Sequence, residues 1–173
     1  MRLFIAINFP SDIKAAIAKV RDKIKNAALR GSFSLDENLH LTLVFIGECD
    51  RLQTEEIKEV MDSITFSPFM LKLNKAGYFN CGGGDVWWVG LKESAPLLLL
   101  QSELEAKLRQ SGLVLESRRF APHITLGREV KVPAGFIAPK TVQAKFSVVS
   151  IELMKSEHIN GKLTYTQIYS KGN

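Results

Sequence analysis

Cysteine and histidine are both scarce in this chain. The two cysteines, Cys49 and Cys81, show no metal-ligand spacing, and free thiols fit a reducing compartment. No cluster of carboxylates and histidines stands at ligand spacing, so no metal and no other cofactor is expected. No apolar run approaches the roughly 20 residues of a membrane span. The opening stretch from Met1 to Pro10 is short and is followed at once by Ser11 and Asp12. It lacks the proportions of a signal peptide and reads as the first strand of a cytoplasmic protein. No linker or low-complexity segment divides the chain. The glycine run Gly82–Gly84 lacks the lysine of a phosphate-binding loop and precedes a strand, so it reads as a turn.

What is present fits one globular domain with a basic bias. The 173 residues can bury a substantial core, and 46% apolar with 24% charged residues is ordinary for a soluble fold. A single domain over 1–173, acting as a monomer, is expected. The net charge of +5 and pI near 9.2 suit a polyanionic partner such as RNA.

Two of the three histidines stand in one repeated pattern: His40-Leu41-Thr42-Leu43 and His123-Ile124-Thr125-Leu126. Read as strands, each puts its His and Thr on one face and two aliphatic residues on the other. The larger context repeats as well. Short apolar runs, Leu3–Ile7 and Val86–Leu91, each precede a helical pattern and then a His strand. The separation from Ala6 to His40 equals that from Val89 to His123. Two copies of a strand–helix–strand unit follow, with the histidines meeting in a cleft between two pseudo-symmetric lobes.

Local patterns fill in the elements. Helices are expected over Pro10–Leu29, capped by Ser11 or Asp12 and ended by Gly31, over Thr54–Ile64, and over Pro96–Gln110. Strands are expected over Ser32–Leu35, Leu39–Ile46 (closed by Gly47), Phe69–Phe79, Val86–Leu91, Ile124–Arg128, Lys145–Lys155 and Leu163–Tyr169. Gly135–Pro139 reads as a loop or one helical turn, and His158 as a surface residue of a polar turn. The class is α+β, with mainly antiparallel sheets flanking a central cleft and helices outside. By strand parity Phe45 lies opposite His40 and packs in the core. Trp87 and Trp88 lie on opposite faces, one for the core and one free to stack on a base.

The chain resembles the two-histidine phosphoesterase superfamily, in its 2′-5′ RNA ligase / RNA 2′,3′-cyclic phosphodiesterase branch. The resemblance is carried by Arg2–Ile7, Glu37–Gly47, Val86–Gly90, Arg118–Arg128 and Leu153–Tyr165. It departs from the common pattern at Phe33, where many relatives have tryptophan, and at Asp85, where many have a basic residue. The resemblance implies a bilobal α+β fold. It implies opening of 2′,3′-cyclic phosphates at RNA ends to 2′-phosphates, with reversible 2′-5′ joining of tRNA halves. It assigns His40 as proton donor and His123 as proton acceptor.

The residues support that chemistry directly. Water attacking a strained cyclic phosphate must lose a proton, and the departing ribose oxygen must gain one. Two imidazoles on opposite sides supply both functions. Thr42 and Thr125 would hold the nonbridging oxygens. Arg128 follows its Thr by three and points away on a regular strand; a bend at Gly127 would bring it to the phosphate. Arg118 is the second candidate cation. Two other functions share these motifs. One is a phosphodiesterase acting on a small cyclic nucleotide or ADP-ribose cyclic phosphate; the other is a noncatalytic RNA-binding module.

Overall fold

The computed structural model describes residues 1–140 and 143–172. Among the described residues, nine strands form two antiparallel sheets and share a core with three α-helices, the α+β class expected. The first sheet has the order β3 (His40–Glu48), β1 (Arg2–Asn8), β8 (Ser150–Ile159), β9 (Lys162–Gly172). The second has the order β2 (Arg30–Phe33), β6 (His123–Lys131), β5 (Asp85–Leu91), β4 (Phe69–Phe79), β7 (Lys145–Val148). Each histidine strand pairs with the apolar strand of its own repeat: β3 with β1, and β6 with β5.

Side-chain alternation assigns the two faces of each sheet. On β1, Leu3, Ile5 and Ile7 enter the main core with Val89, Ile124 and Leu126 of the second sheet. Phe4 and Ala6 point the other way and meet Met154 and Tyr165 in a small second cluster. The main core therefore lies behind both sheets, and the faces that carry His40 and His123 are turned away from it. Helix α1 (Ser11–Ala27) buries Ile13, Ile17, Val20 and Ile24 along one stripe. Helix α3 (Ala95–Gln110) buries Leu97, Leu100, Leu104 and Leu108, and Ser94 caps it by accepting from Leu97 N–H.

Several boundaries differ from the sequence expectation for physical reasons. No side chain caps α1, because Ser11 is already helical and Pro10 takes the cap position. Helix α2 (Arg51–Asp62) starts before Thr54, because Asp50 and Gln53 form a reciprocal capping box. Gly47 does not close β3; the strand passes through it at φ 100 and ends at Glu48. The expected strand Lys145–Lys155 is two strands in different sheets, β7 and β8, parted at the exposed Val149. Gly135–Pro139 is a loop, the first of its two expected readings, with a hydrogen bond from Phe136 N–H to the Pro133 carbonyl. His158 is exposed, as expected, but stands within β8 opposite Leu163; the β8–β9 turn is Asn160-Gly161, both at positive φ.

Candidate active site

The two histidine strands share a defect at the same motif position. On β3, Ile5 faces Val44 and Ala6 faces Thr42, so Leu43 is an extra, bulged residue. On β6, Trp87 faces Gly127 and Trp88 faces Thr125, so Leu126 is the extra residue. A bulge of one residue reverses the alternation beyond it. Val44 and Gly127 are therefore buried, and the residues that follow, Phe45 and Arg128, turn to the histidine face. This corrects the core placement of Phe45, which is 37% exposed with the Arg2 guanidinium over its ring. It also brings Arg128 to the imidazoles, through a bulge at Leu126 rather than a bend at Gly127.

Both imidazoles are held by one device. His40 Nδ1 donates to the Asn38 carbonyl at 2.7 Å, and His123 Nδ1 donates to the Ala121 carbonyl at 2.7 Å. A carbonyl only accepts, so each neutral ring carries its proton on Nδ1 and keeps a lone pair on Nε2. At His40 that lone pair receives the Thr42 hydroxyl at 2.9 Å. Aromatic neighbours limit ring rotation. The His40 ring centroid lies 4.9 Å from Phe4 and 5.1 Å from Tyr165. Phe79 stands edge-on to His123 at 5.1 Å.

The electrostatics join the two sheets into one site. Burial pushes the His40 pKa down to about 4; the Asn38 hydrogen bond opposes this, and the charges of Lys14, Arg128 and His123 add to it. The His123 pKa is also lowered, first by burial and then by Arg128, against the pull of the Ala121 hydrogen bond. Arg128 thus acts on both rings, and each histidine lies within electrostatic reach of the same cation. With the site empty both rings are neutral at pH 7. A phosphodiester anion among these cations reverses the sign and favours protonation of His40. The expected result is a His40 titration midpoint near 4 in the free protein, moved upward by saturating 2′-AMP. NMR of the ring protons measures it. A midpoint that stays put with the nucleotide bound rules His40 out as proton donor.

The structure brings together His40, Thr42, His123, Thr125 and Arg128, with both Thr on the histidine faces by register. It does not bring Arg118 to them. That side chain is 88% exposed, pairs with Glu116 at 3.4 Å, and is absent from the charges acting on either imidazole. Of the two tryptophans, Trp87 is core at 1% exposure, and Trp88 lies on the His123 face. Three residues escaped sequence reasoning. Asn38 orients His40 through its carbonyl and ties its side-chain amide to the Leu163 carbonyl at 2.8 Å. It stands in the Glu37–Gly47 stretch, where a signal existed. Tyr165 comes from β9 and closes the Leu153–Tyr165 stretch, where a signal also existed; Lys14 comes from α1, and no local pattern marks it.

Among the described residues, no group of three or more His, Cys, Asp or Glu side chains could hold a metal ion. No described helix is long and apolar enough to cross a membrane.

Comparison with known proteins shows the family. A family model described as the 2′-5′ RNA ligase superfamily matches residues 9–160. The RNA 2′,3′-cyclic phosphodiesterase of Escherichia coli is 30% identical over 168 residues, covering 96% of this chain and 93% of that protein. The protein of the same name from Archaeoglobus fulgidus is 32% identical over 130 residues, covering 74% of this chain and 72% of that one. The crystal structure of E. coli LigT complexed with 3′-AMP superposes with a TM-score of 0.87 at 29% identity, covering 99% of this chain and 97% of that one.

Proposed function

Because the chain belongs to the 2′-5′ RNA ligase superfamily, we propose that it is an RNA 2′,3′-cyclic phosphodiesterase that opens cyclic phosphate ends to 2′-phosphates. The observation that carries this reading is the doubled His–Thr site with Arg128 acting on both imidazoles. His123, its Nε2 lone pair free to accept, takes the proton of the attacking water. His40, charged once the anion is bound, returns a proton to the departing ribose 3′-oxygen. Thr42 and Thr125 donate to the nonbridging oxygens, and Arg128 balances the charge that develops there. Replacing water by a 5′-hydroxyl gives 2′-5′ joining with the same groups, and tRNA halves are the substrates proposed for it. The enzyme works as a cytoplasmic monomer in this reading. The direct test is conversion of an RNA bearing a 2′,3′-cyclic phosphate into the 2′-phosphate. No turnover by the pure protein would leave only an RNA-binding module.

Two imidazoles and three donors supply every proton and charge that the step requires. Hydrolysis is therefore expected to continue at an unchanged rate in excess EDTA. Loss of activity in chelator, restored by a divalent ion, would overturn the acid–base mechanism.

A further inference from the structure

The face of the second sheet that carries His123 does not end at the histidine. Along β5, Trp88 and Gly90 lie on this face, opposite Thr125 and His123. On β4, Leu73 points to the core opposite Leu91, so its neighbour Lys72 is on the His123 face. Lys145 of β7 pairs directly with Lys72 and shares that face. Lys92, two residues past Gly90, joins them; its N–H donates to the Lys72 carbonyl at 2.9 Å. Two residues of strand are roughly 7 Å, so the lysines begin close to the imidazole.

Between the lysines and His123 lies a pocket of about 270 Å³ lined by Lys75, Phe79, Trp88, Pro122 and His123, among others. The Trp88 indole lies flat across Gly77, where a Cβ would come within 2.4 Å of the ring. Lys72, Lys92 and Lys145 are exposed, and among the described residues none has a carboxylate in ion-pair distance. Like charges directly opposite on neighbouring strands destabilise a sheet. A row of unpaired ammonium groups beside an aromatic pocket matches one chemistry: bases that stack and backbone phosphates at regular intervals.

We propose that this face is a track for the body of an RNA strand, with a base in the Phe79–Trp88 pocket and backbone phosphates on Lys72, Lys92 and Lys145. The proposal rests on the phosphodiesterase reading and deepens it: the substrate is an RNA polymer rather than a small cyclic nucleotide. The lysines lie outside the reacting groups, so they act on binding and not on the chemical step.

The test compares a 2′,3′-cyclic mononucleotide with oligoribonucleotides of increasing length that carry the same cyclic end. In the wild type, kcat/KM should rise with length and fall steeply with salt for the oligomers only. The double variant Lys72→Glu, Lys145→Glu should lose about 10-fold or more in kcat/KM on the oligomers, and its salt slope should drop by about one for each phosphate contact removed. Its rate on the mononucleotide should not change. Lys72→Arg, Lys145→Arg should behave as the wild type. Equal kcat/KM for mononucleotide and oligomer in the wild type, or equal loss on both in the variant, overturns the track. Binding of an oligomer ending in a 3′-phosphate, followed by fluorescence anisotropy, gives a readout independent of turnover. Absence of all turnover with lysine-dependent binding would defeat the phosphodiesterase reading and keep the track. Binding indifferent to the lysines would defeat the track.

Discussion

His40→Ala and His123→Ala are each expected to lower kcat on an RNA cyclic phosphate by about 100-fold or more, the scale for losing a general acid or base. The two should part company on a substrate with a good leaving group, such as a nitrophenyl phosphodiester. Departure of nitrophenolate barely needs a proton, so His40→Ala should recover most of its rate there. His123→Ala should stay impaired, because water still has to be deprotonated. The opposite pattern would exchange the two roles. The wild-type pH profile adds a second check. One ring must be charged while the other is neutral, so the rate is bell-shaped. In the free protein both histidines sit below the ordinary value, His40 near 4, so both limbs of kcat/KM should fall below pH 6.5. The bound anion raises both pKa values, so the bell in kcat should lie at higher pH than the bell in kcat/KM. A kcat bell at the same or lower pH would mean that the substrate does not charge His40. Swapping acid and base leaves the bell unchanged, so only the leaving-group series separates the roles.

Arg128→Ala is expected to lower kcat/KM by about 100-fold, comparable to the loss of a donor to a developing oxyanion. Arg128→Lys should recover part of this, since it keeps the charge and loses the planar fork. Arg128→Ala, which removes the charge, should raise the titration midpoints of both histidines in the free protein, because the charge of Arg128 lowers both. That shift is visible without substrate and would not follow from a general loosening of β6. Arg118→Ala removes an exposed side chain paired with Glu116, and its rate should stay within about twofold of wild type. A larger effect of Arg118 than of Arg128 would mean that substrate closes the loop before β6 over the cleft.

Much of this site is written in local pattern. The two His–Thr motifs, their aliphatic partners and the strand–helix–strand context all depend on alternation and spacing, which neighbouring residues impose through backbone geometry alone. The same is true of Phe69–Phe79, whose bounds agree between sequence and structure, and of the buried stripes of α1 and α3. Parity also placed Trp87 and Trp88 on opposite faces, although it left open which one enters the core.

Only the tertiary structure decided where parity fails. The bulges at Leu43 and Leu126 arise from the register between each histidine strand and its neighbour, and register is a property of two strands, not one. They turn Phe45 and Arg128 to the histidine face against their sequence parity. The change of sheet at Val149, the arrival of Tyr165 beside His40 and the depressed His40 pKa have the same origin. Each depends on parts of the chain distant in sequence, and the pKa on the burial and charges that they bring. A residue's face and charge state belong to its surroundings, and a single strand read alone does not contain them.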